Sequence, residues 1–363
     1  MDAPMLSAIT LDASGGGVAV VARLLWRVIE EQWGGRARLL TLSDGSRTPS
    51  FFDKTRYALA LAALQSRGAT DWVLFSHLGL AKPLAGIPKA CQTPYAVFLH
   101  GIEVWKPLTA GEHAVLERAA LRLSNSRFTA DRVMEMHPGI GPVAACPLGL
   151  PPAPRASTEH AGERFAFGPH AVLTVGRMLQ SERYKGHDEL IDAWPEVVAA
   201  VPDARLVIAG TGDDLPRLKA KAASRAGAAI VFTGFVSDAV LAGLYDAAAL
   251  FALPSRGEGF GLVYLEAMSH RLACVGSTYD AAGEVIADGT TGCLVDQDRR
   301  GALAGTLIRL LVDEDRRRAL GQAGYDRART EFSFERFSAR LCHLLGVAAA
   351  DAVPVPAGAG RRP

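Results

Sequence analysis

The chain of 363 residues carries 39 basic and 38 acidic side chains, so its formal net charge is +1 and it lacks the basic surplus of a nucleic-acid-binding protein. Hydrophobic residues make up 49% and charged residues 21%, which excludes a disordered or collagen-like chain and is typical of a protein with a sizeable core. At about 150 residues per domain, the length predicts two domains.

The cysteines and the N-terminus indicate the compartment. The five cysteines form no C-x-x-C pair, which is typical of a reducing environment and argues against a disulfide framework or a zinc site. The first residues lack the basic and apolar regions of a signal peptide, and the most apolar window is too polar to span a bilayer. We therefore expect a cytoplasmic protein, with peripheral contact at the inner face of the cytoplasmic membrane left open.

Short apolar runs alternate with helical patterns, which predicts βα units around parallel sheets. In the first half, a strand at residues 6–11 precedes the glycine-rich residues 14–17 and a helix with Leu25 and Ile29 on its apolar face. The further strands predicted for this half are 38–42, 72–76, 95–99, 121–124 and 143–145. A proline-rich run at 147–155 then predicts a linker.

The alternation restarts after this linker. The predicted elements are strands at 171–175, 204–209, 230–233, 250–253 and 273–276, and helices at 188–200, 215–225, 239–247 and 261–268. A last helix is predicted at 334–345 and a disordered tail at 348–363. The fold class is therefore α/β, with Rossmann-like domains at 1–150 and 166–330 joined by a linker at 151–165. Two such domains are expected to enclose a cleft at the carboxyl ends of their strands.

The most informative segment is 254–268, which reads PSRGEGFGLVYLEAM. It places Glu258 and Glu266 eight residues apart, across a glycine-rich turn that opens a helix. Backbone N–H groups and the positive end of the helix dipole make such a turn a seat for phosphate or sugar oxygens. Glu258 can then accept hydrogen bonds from a sugar and Glu266 from a ribose. Two glutamates at this spacing would by themselves more often be solvated side chains at a helix start, and the glycines favour the binding site.

Several other catalytic motifs are missing from the sequence. It contains no nucleophile elbow, no H-E-x-x-H and no P-loop. It also has no convincing D-x-D pair for a metal-held diphosphate, and Asp213 and Asp214 are adjacent, in a polar turn. Phosphate binding is therefore expected to depend on backbone amides, arginine and lysine.

The segment 254–268 resembles the signature of the family-4 retaining glycosyltransferases. Further pieces follow in the family's order, namely VGR at 175–177, YKGH at 184–187, PDARLVIAGTG at 202–212 and FTGFV at 232–236. The resemblance is strong over about 165–345 and looser before it. It implies the GT-B fold, with a C-terminal helix at 331–347 that returns to the first domain.

The resemblance also implies roles for individual residues. Arg177, Lys185 and Gly16 would hold the donor diphosphate, and His100 and Glu258 would be catalytic residues at the donor sugar. The remaining implied contacts are the backbone of Gly259, Phe260 and Gly261 with the donor sugar, Glu266 with the ribose, and Phe235 and Val236 with the nucleobase. A lone histidine at a strand end is usually structural, and for His100 the two interpretations carry equal weight. Of the other histidines, which are given no role, His77 is the hardest to dismiss.

The sequence departs from the family in two places. Arg271 and Ala273 stand where the family usually carries glycine and proline, which is expected to reshape only a turn. Asp280 and Ala281 replace a double glycine ahead of Glu284, in a loop expected near the donor.

The predicted function is a retaining, metal-independent glycosyltransferase of the hexosyltransferase class. It would move a sugar from a GDP-, UDP- or ADP-sugar to a hydroxyl of a saccharide or lipid-linked saccharide, as in polysaccharide biosynthesis, without a cofactor. The alternatives are a nucleotide-sugar epimerase of the same fold and an inactive nucleotide-sugar-binding partner subunit. The epimerase is disfavoured by Arg177, Lys185, Glu258 and Glu266, and the inactive subunit would be expected to have lost such residues.

Overall fold

The computed structural model describes residues 4–12, 16–45, 48–66, 70–88, 91–151, 165 and 167–346. The chain divides into two compact units, one of Met1–Pro151 with Ser333–Pro363 and one of Pro152–Phe332. Most of the predicted linker at 151–165, the predicted tail at 348–363 and the first residues of the glycine loop, 14 and 15, lie outside the described residues.

The first unit is built around a parallel sheet that has six strands in the described part of the chain, in the order β2-β1-β3-β4-β5-β6. Its strands are β1 Pro4–Ala8, β2 Arg38–Thr41, β3 Trp72–Phe75, β4 Tyr95–Leu99, β5 Leu121–Ser124 and β6 Ala144–Ala145. Its helices are α1 Gly16–Trp33, α2 Phe51–Ser66, α3 Leu78–Ala81, α4 Ala110–Arg118, α5 Arg127–Met136 and α13 Phe334–Leu344. The last helix packs against α1, where the Arg27 guanidinium lies 4.7 Å from the Phe334 ring centroid.

The second unit contains another parallel sheet, with described strands in the order β12-β11-β10-β7-β8-β9. These strands are β7 Ala171–Val175, β8 Arg205–Ala209, β9 Ile230–Gly234, β10 Leu250–Ala252, β11 Ala273–Ser277 and β12 Gly292–Val295. The helices are α6 His187–Ala200, α7 Leu215–Arg225, α8 Asp238–Ala247, α9 Leu262–Ser269, α10 Ala282–Val285, α11 Ala302–Val312 and α12 Glu314–Glu331.

Burial explains why the strands could be recognised from their sequences. Helices on both faces of a parallel sheet make its strands nearly continuous apolar runs, as in the wholly buried β4 with the sequence YAVFL. The predictions for β4, β5, β7 and α7 are confirmed residue for residue. The predicted strand at 6–11 is shifted, since β1 spans Pro4–Ala8 and the Thr10 hydroxyl then accepts the Asp12 N–H within a turn.

Glycines bring the loops after β7 and β8 into backbone contact. A Cβ on Gly210, whose φ is +136°, would lie 2.0 Å from the Gly176 carbonyl oxygen, and one on Gly212 would lie 2.0 Å from that of Met178. Side chains at these positions would separate the two loops. The carboxyl end of the sheet is therefore closely packed around β7, from which two of the predicted donor ligands follow.

Arg271 occupies the turn where the family usually has glycine, and it adopts the left-handed conformation itself with φ +58°. Its guanidinium lies 3.9 Å from the Tyr325 ring centroid, and its Nε donates to the Gln322 side chain. Cation–π attraction and this hydrogen bond offset part of the cost of a positive φ at a residue with a Cβ.

Candidate active site

The sheet order places three loops of the second unit side by side. Strands β7, β10 and β11 are neighbours and parallel, so the loops that follow them emerge at one edge of the sheet. These loops carry Lys185, Glu258 and Asp280 respectively. Residues far apart in sequence are therefore brought together at the carboxyl end of this sheet.

The turn at 254–261, here called the glutamate turn, is shaped by its glycines. Gly261 has φ +90°, and a Cβ there would lie 2.4 Å from the Tyr264 ring. A Cβ on Gly257 would lie 2.8 Å from the ring of Tyr184. The Tyr264 hydroxyl donates to the Leu253 carbonyl over 2.5 Å, which fixes the start of α9 to the end of β10. The turn therefore needs glycine at these positions.

Lys185 and Glu258 form an ion pair in the second unit. Lys185 Nζ donates to Glu258 Oε1 over 2.7 Å, and the two side chains are only 16% and 15% exposed. Gly186, with φ +82°, brings the segments together, since a Cβ there would lie 2.3 Å from the Pro254 carbonyl oxygen. Burial alone would lower the pKa of Lys185, but the Glu258 carboxylate outweighs it and raises that pKa. Lys185 is therefore a cation at neutral pH.

Arg177 lies in a different environment. Its side chain is 60% exposed, and its guanidinium pairs with the carboxylate of Glu182, whose side chain is 12% exposed. Each of the two cations predicted to hold the diphosphate thus has a carboxylate partner, but only Lys185 is enclosed.

Glu266 lies on α9, where its Oε2 accepts the Tyr245 hydroxyl proton over 3.0 Å. The Tyr245 ring stacks on that of His270 at a centroid distance of 5.1 Å. Burial raises the pKa of Glu266 to about 6, although the Tyr245 hydrogen bond lowers it. A carboxylate ionised above pH 6 accepts hydrogen bonds from the hydroxyls of a bound ligand, whereas the protonated acid accepts fewer.

If Glu266 holds the ribose, nucleotide affinity will fall on acidification. We expect the Kd of the nucleoside diphosphate to rise about tenfold between pH 7.5 and pH 5, because protonation below the pKa removes an ionised acceptor. Isothermal titration with the wild type and Glu266→Gln measures this. The variant should bind about 1–2 kcal/mol more weakly at pH 7.5 and depend less on pH. Equal pH profiles for the two proteins would contradict the assignment, since the phosphate itself titrates identically in both.

The remaining predicted donor contacts differ in whether their side chains are exposed. Phe235 follows β9 and is 80% exposed, after Gly234 with φ +74°, so its ring is available to a planar ligand. The Phe260 ring is buried and lies edge-on to Phe332 at 5.8 Å. The Phe260 side chain thus anchors the glutamate turn, and its main chain is the part that a donor could contact.

The first unit holds the other two predicted site residues. Gly16 begins α1 with φ +63°. His100 follows β4, and its Nε2 bonds the Ser76 carbonyl over 2.6 Å, so that nitrogen carries the proton. Its main-chain N–H donates to Glu103, and its carbonyl accepts from the Asn125 side chain over 2.9 Å. The His100 ring is therefore held in one orientation.

Neighbours to which sequence reasoning gave no role set the state of these residues. His77 stacks on His100 at 5.8 Å, and its Nδ1 accepts the Gly79 N–H over 2.9 Å. Burial lowers the pKa of His77 to about 4, so this ring is neutral and caps α3. Tyr245 was missed because it lies 21 residues from Glu266, with no local pattern linking them.

Comparison with known proteins decides the family. The model of the family "Glycosyl transferases group 1" matches residues 169–313. A GDP-mannose-dependent alpha-(1-6)-phosphatidylinositol monomannoside mannosyltransferase of Mycolicibacterium smegmatis is 33% identical over 294 residues, which cover 74% of this chain and 73% of that protein. The chain belongs to the group 1 glycosyltransferases.

Other relatives of this group 1 glycosyltransferase match over shorter stretches. A GDP-mannose-dependent monoacylated alpha-(1-6)-phosphatidylinositol monomannoside mannosyltransferase of Corynebacterium glutamicum is 35% identical over 168 residues, or 44% of each protein. A phosphatidyl-myo-inositol mannosyltransferase of Mycolicibacterium smegmatis is 39% identical over 141 residues, which cover 39% of this chain and 36% of that protein. The chain thus matches less than half the length of these two relatives.

Solved structures show the fold. Sucrose-phosphate synthase from Thermosynechococcus elongatus aligns with a TM-score of 0.76 at 19% identity, covering 94% of this chain and 98% of that one. The Anabaena HepE protein aligns with a TM-score of 0.74 at 16% identity, covering 95% and 100%. The predicted GT-B fold and the predicted glycosyltransferase family are confirmed. In the described part of this group 1 glycosyltransferase, no helix is long and apolar enough to cross a membrane.

Proposed function

We propose that the protein transfers mannose from GDP-mannose to a hydroxyl of an inositol phospholipid or a related lipid-linked saccharide, with retention of configuration. The relatives above supply the donor and acceptor classes. The observation that carries the proposal is the enclosed Lys185–Glu258 pair, in which a cation suited to the diphosphate and a carboxylate suited to sugar hydroxyls lie 2.7 Å apart.

The proposed chemistry is a front-face displacement. The bond from the anomeric carbon to the diphosphate oxygen breaks while a bond to the acceptor oxygen forms on the same face. The acceptor proton passes to the leaving phosphate oxygen, so no protein nucleophile takes part. Lys185 and Arg177 stabilise the charge that develops on the diphosphate, and Glu258 and His100 orient the sugar.

The donor and the charge assignment can be tested together. We expect GDP to raise the melting temperature more than UDP or ADP, because a ligand of the folded state stabilises it by mass action. We expect mannosyl transfer from GDP-mannose to phosphatidylinositol vesicles to survive EDTA, and the new linkage to be α by NMR. A preference for UDP would contradict the assignment of GDP-mannose as donor, and a β-linked product would contradict retention of configuration. A requirement for added Mg²⁺ or Mn²⁺ would contradict the role given to Arg177 and Lys185.

Helix α2 suggests how such a protein would meet a lipid acceptor. Phe51, Phe52 and Leu59 are 85%, 73% and 67% exposed, while Tyr57 faces the core. At 100° per residue the exposed apolar side chains share the outward face. Exposed apolar residues on the outward face of a helix are typical of contact with a membrane interface.

The charges beside this face suit an anionic surface. Lys54 and Arg56 fall on opposite flanks of the exposed apolar face, and neither pairs with a carboxylate among the described residues. Asp53 points inward, where its carboxylate accepts the Ser50 N–H and hydroxyl. Basic side chains next to an apolar face bind anionic headgroups. We therefore assign peripheral membrane contact to α2.

Vesicle co-sedimentation checks this assignment. We expect wild type to sediment with vesicles containing anionic lipid and to be released by high salt. Replacing both phenylalanines with serine should weaken vesicle binding at least about tenfold, because each loses part of the 1.5–3 kcal/mol gained on burial. Val312→Ser removes another apolar side chain, 69% exposed on α11, and should bind like wild type. Equal binding of all three proteins would contradict the assignment.

A further inference from the structure

Asp280 is a buried carboxylate at the place where the family usually has glycine. Its Oδ2 accepts the main-chain N–H of Glu258 over 3.0 Å, and its Oδ1 accepts that of Ala282 over 3.0 Å. In return, the N–H of Ala281 donates to the Glu258 carbonyl over 3.1 Å. The main chain of Glu258 is thus held on both sides by the loop that follows β11.

Ser255 adds a further connection between the same two segments. Its hydroxyl oxygen accepts the Gly257 N–H over 3.1 Å, and the hydroxyl interacts with the Asp280 carboxylate and lowers its pKa. Ser255 is fully buried, so these bonds do not compete with solvent. Glycine at position 280 could supply none of the side-chain bonds.

We propose that Asp280 is a positioning residue that fixes the glutamate turn, and through it the Glu258 carboxylate beside Lys185, for sugar transfer. The inference rests on the proposed role of Glu258 in transfer. Its basis is geometric: Asp280 bonds the main chain of Glu258, and the Glu258 side chain bonds Lys185 over 2.7 Å. A turn free to shift would misplace the carboxylate relative to the reacting sugar, and small displacements of catalytic groups cost large factors in rate.

The protonation of Asp280 should make its effect on the glutamate turn depend on pH. Burial raises its pKa to about 7, and the nearby Glu258 carboxylate raises it too. The main-chain hydrogen bonds from Glu258 and Ala282 and the interaction with Ser255 lower it. Tyr264 on α9 also interacts with Asp280 electrostatically and stays neutral, because burial raises its pKa well above the usual value. Below pH 7 the acid turns one acceptor oxygen into an O–H donor, so one of the two N–H groups loses its acceptor.

Acidification should weaken the hydrogen bonds of Asp280 to the glutamate turn, but it should increase the contribution of this group to the stability of the fold. Because the folded-state pKa lies above that of the unfolded chain, the group's contribution to stability is present at low pH and is lost as the pH rises through about 7. The melting temperature of Asp280→Asn relative to wild type should therefore rise between pH 6 and pH 8.5. If Asp280 had a purely structural role, its replacement would not combine this relative gain in melting temperature with a lower kcat.

The experiment compares Asp280→Asn with wild type and with Asp288→Asn. Asp288 is a matched control, since its Oδ1 accepts the Leu294 N–H over 2.8 Å in an exposed loop. We expect Asp280→Asn to lower kcat about tenfold and to leave the donor KM within about threefold. The acid limb of the pH profile, in which the kcat of wild type falls below about pH 7, should be absent from this variant. We also expect amide exchange of the glutamate turn to accelerate in the free protein, whereas Asp288→Asn should behave like wild type.

The exchange measurement needs no donor, so it separates this inference from the proposed function. Unchanged exchange at the glutamate turn, or unchanged kcat, in a folded Asp280→Asn would overturn the inference. A wild type that protects the turn but transfers no sugar would overturn the proposed function instead. If Asp280→Asn does not fold, Ser255→Ala tests the same point. We expect this variant to lose less kcat and to move the acid limb of the kcat profile to higher pH, because Ser255 lowers the pKa of Asp280. An acid limb that does not move in this variant would overturn the inference.

Discussion

Lys185→Ala is expected to lower the affinity for the nucleoside diphosphate about 100-fold or more. A charge-assisted hydrogen bond is worth about 1.5–3 kcal/mol, and here its loss also leaves the Glu258 carboxylate without its cation beside an anionic ligand. Arg177→Ala should cost only about tenfold, because that side chain is mostly exposed and pairs at the surface. Titration calorimetry with both variants measures the difference.

The double variant Lys185→Ala with Glu258→Gln separates stability from binding. Removing one partner of a half-buried pair destabilises the fold, whereas removing both charges restores part of the stability. We therefore expect the melting temperature of the double variant to exceed that of Lys185→Ala while nucleotide binding stays weak. Equal affinity losses for Lys185→Ala and Arg177→Ala would show that enclosure does not set the strength of the contact.

Glu258→Gln is expected to depress turnover about 10²–10³-fold while it tightens binding of the free nucleoside diphosphate about threefold to tenfold. The rate loss follows if Glu258 acts on the sugar as it reacts. The tighter binding follows because Glu258 neutralises Lys185 over 2.7 Å, and glutamine leaves that cation free for the phosphates. Assays of sugar transfer and nucleotide titration on one preparation check both effects.

Glu182→Gln is the matched control for this prediction. It frees Arg177 in the same way, so it should also tighten nucleotide binding, but it should leave turnover near that of wild type. If Glu258→Gln instead loses nucleotide binding and keeps its turnover, the donor lies in the opposite orientation, with its nucleotide at Glu258.

The local patterns of the sequence were sufficient for much of the fold. Strands β4, β5 and β7 and helix α7 follow from apolar runs and helical periodicity, because a buried parallel sheet needs continuous apolar strands. The two-residue strand β6 lies within the strand predicted at 143–145, whereas helices α2, α4, α11 and α12 were not individually predicted. The long helix α12 has mostly polar residues, and its burial depends on packing against α9 and β11.

The motif at 254–268 determined the candidate site as far as residue types allow. Gly257 and Gly261 are required by close contacts with Tyr184 and Tyr264, and those contacts explain why the pattern is recognisable. The departure at Arg271 was also visible in the sequence. The sequence did not show that an arginine would keep the left-handed turn, because this depends on the ring of Tyr325, 54 positions further along the chain.

The tertiary structure alone decided how the site residues are charged and paired. Lys185 and Glu258 are 73 residues apart, and Glu258 and Asp280 are 22 apart, yet each pair is bonded because β7, β10 and β11 are neighbours in one sheet. Burial then raises the pKa of Glu266 to about 6 and that of Asp280 to about 7. Strand order and desolvation are properties of the folded chain, so local sequence determined which residues could act and the fold determined their partners and protonation.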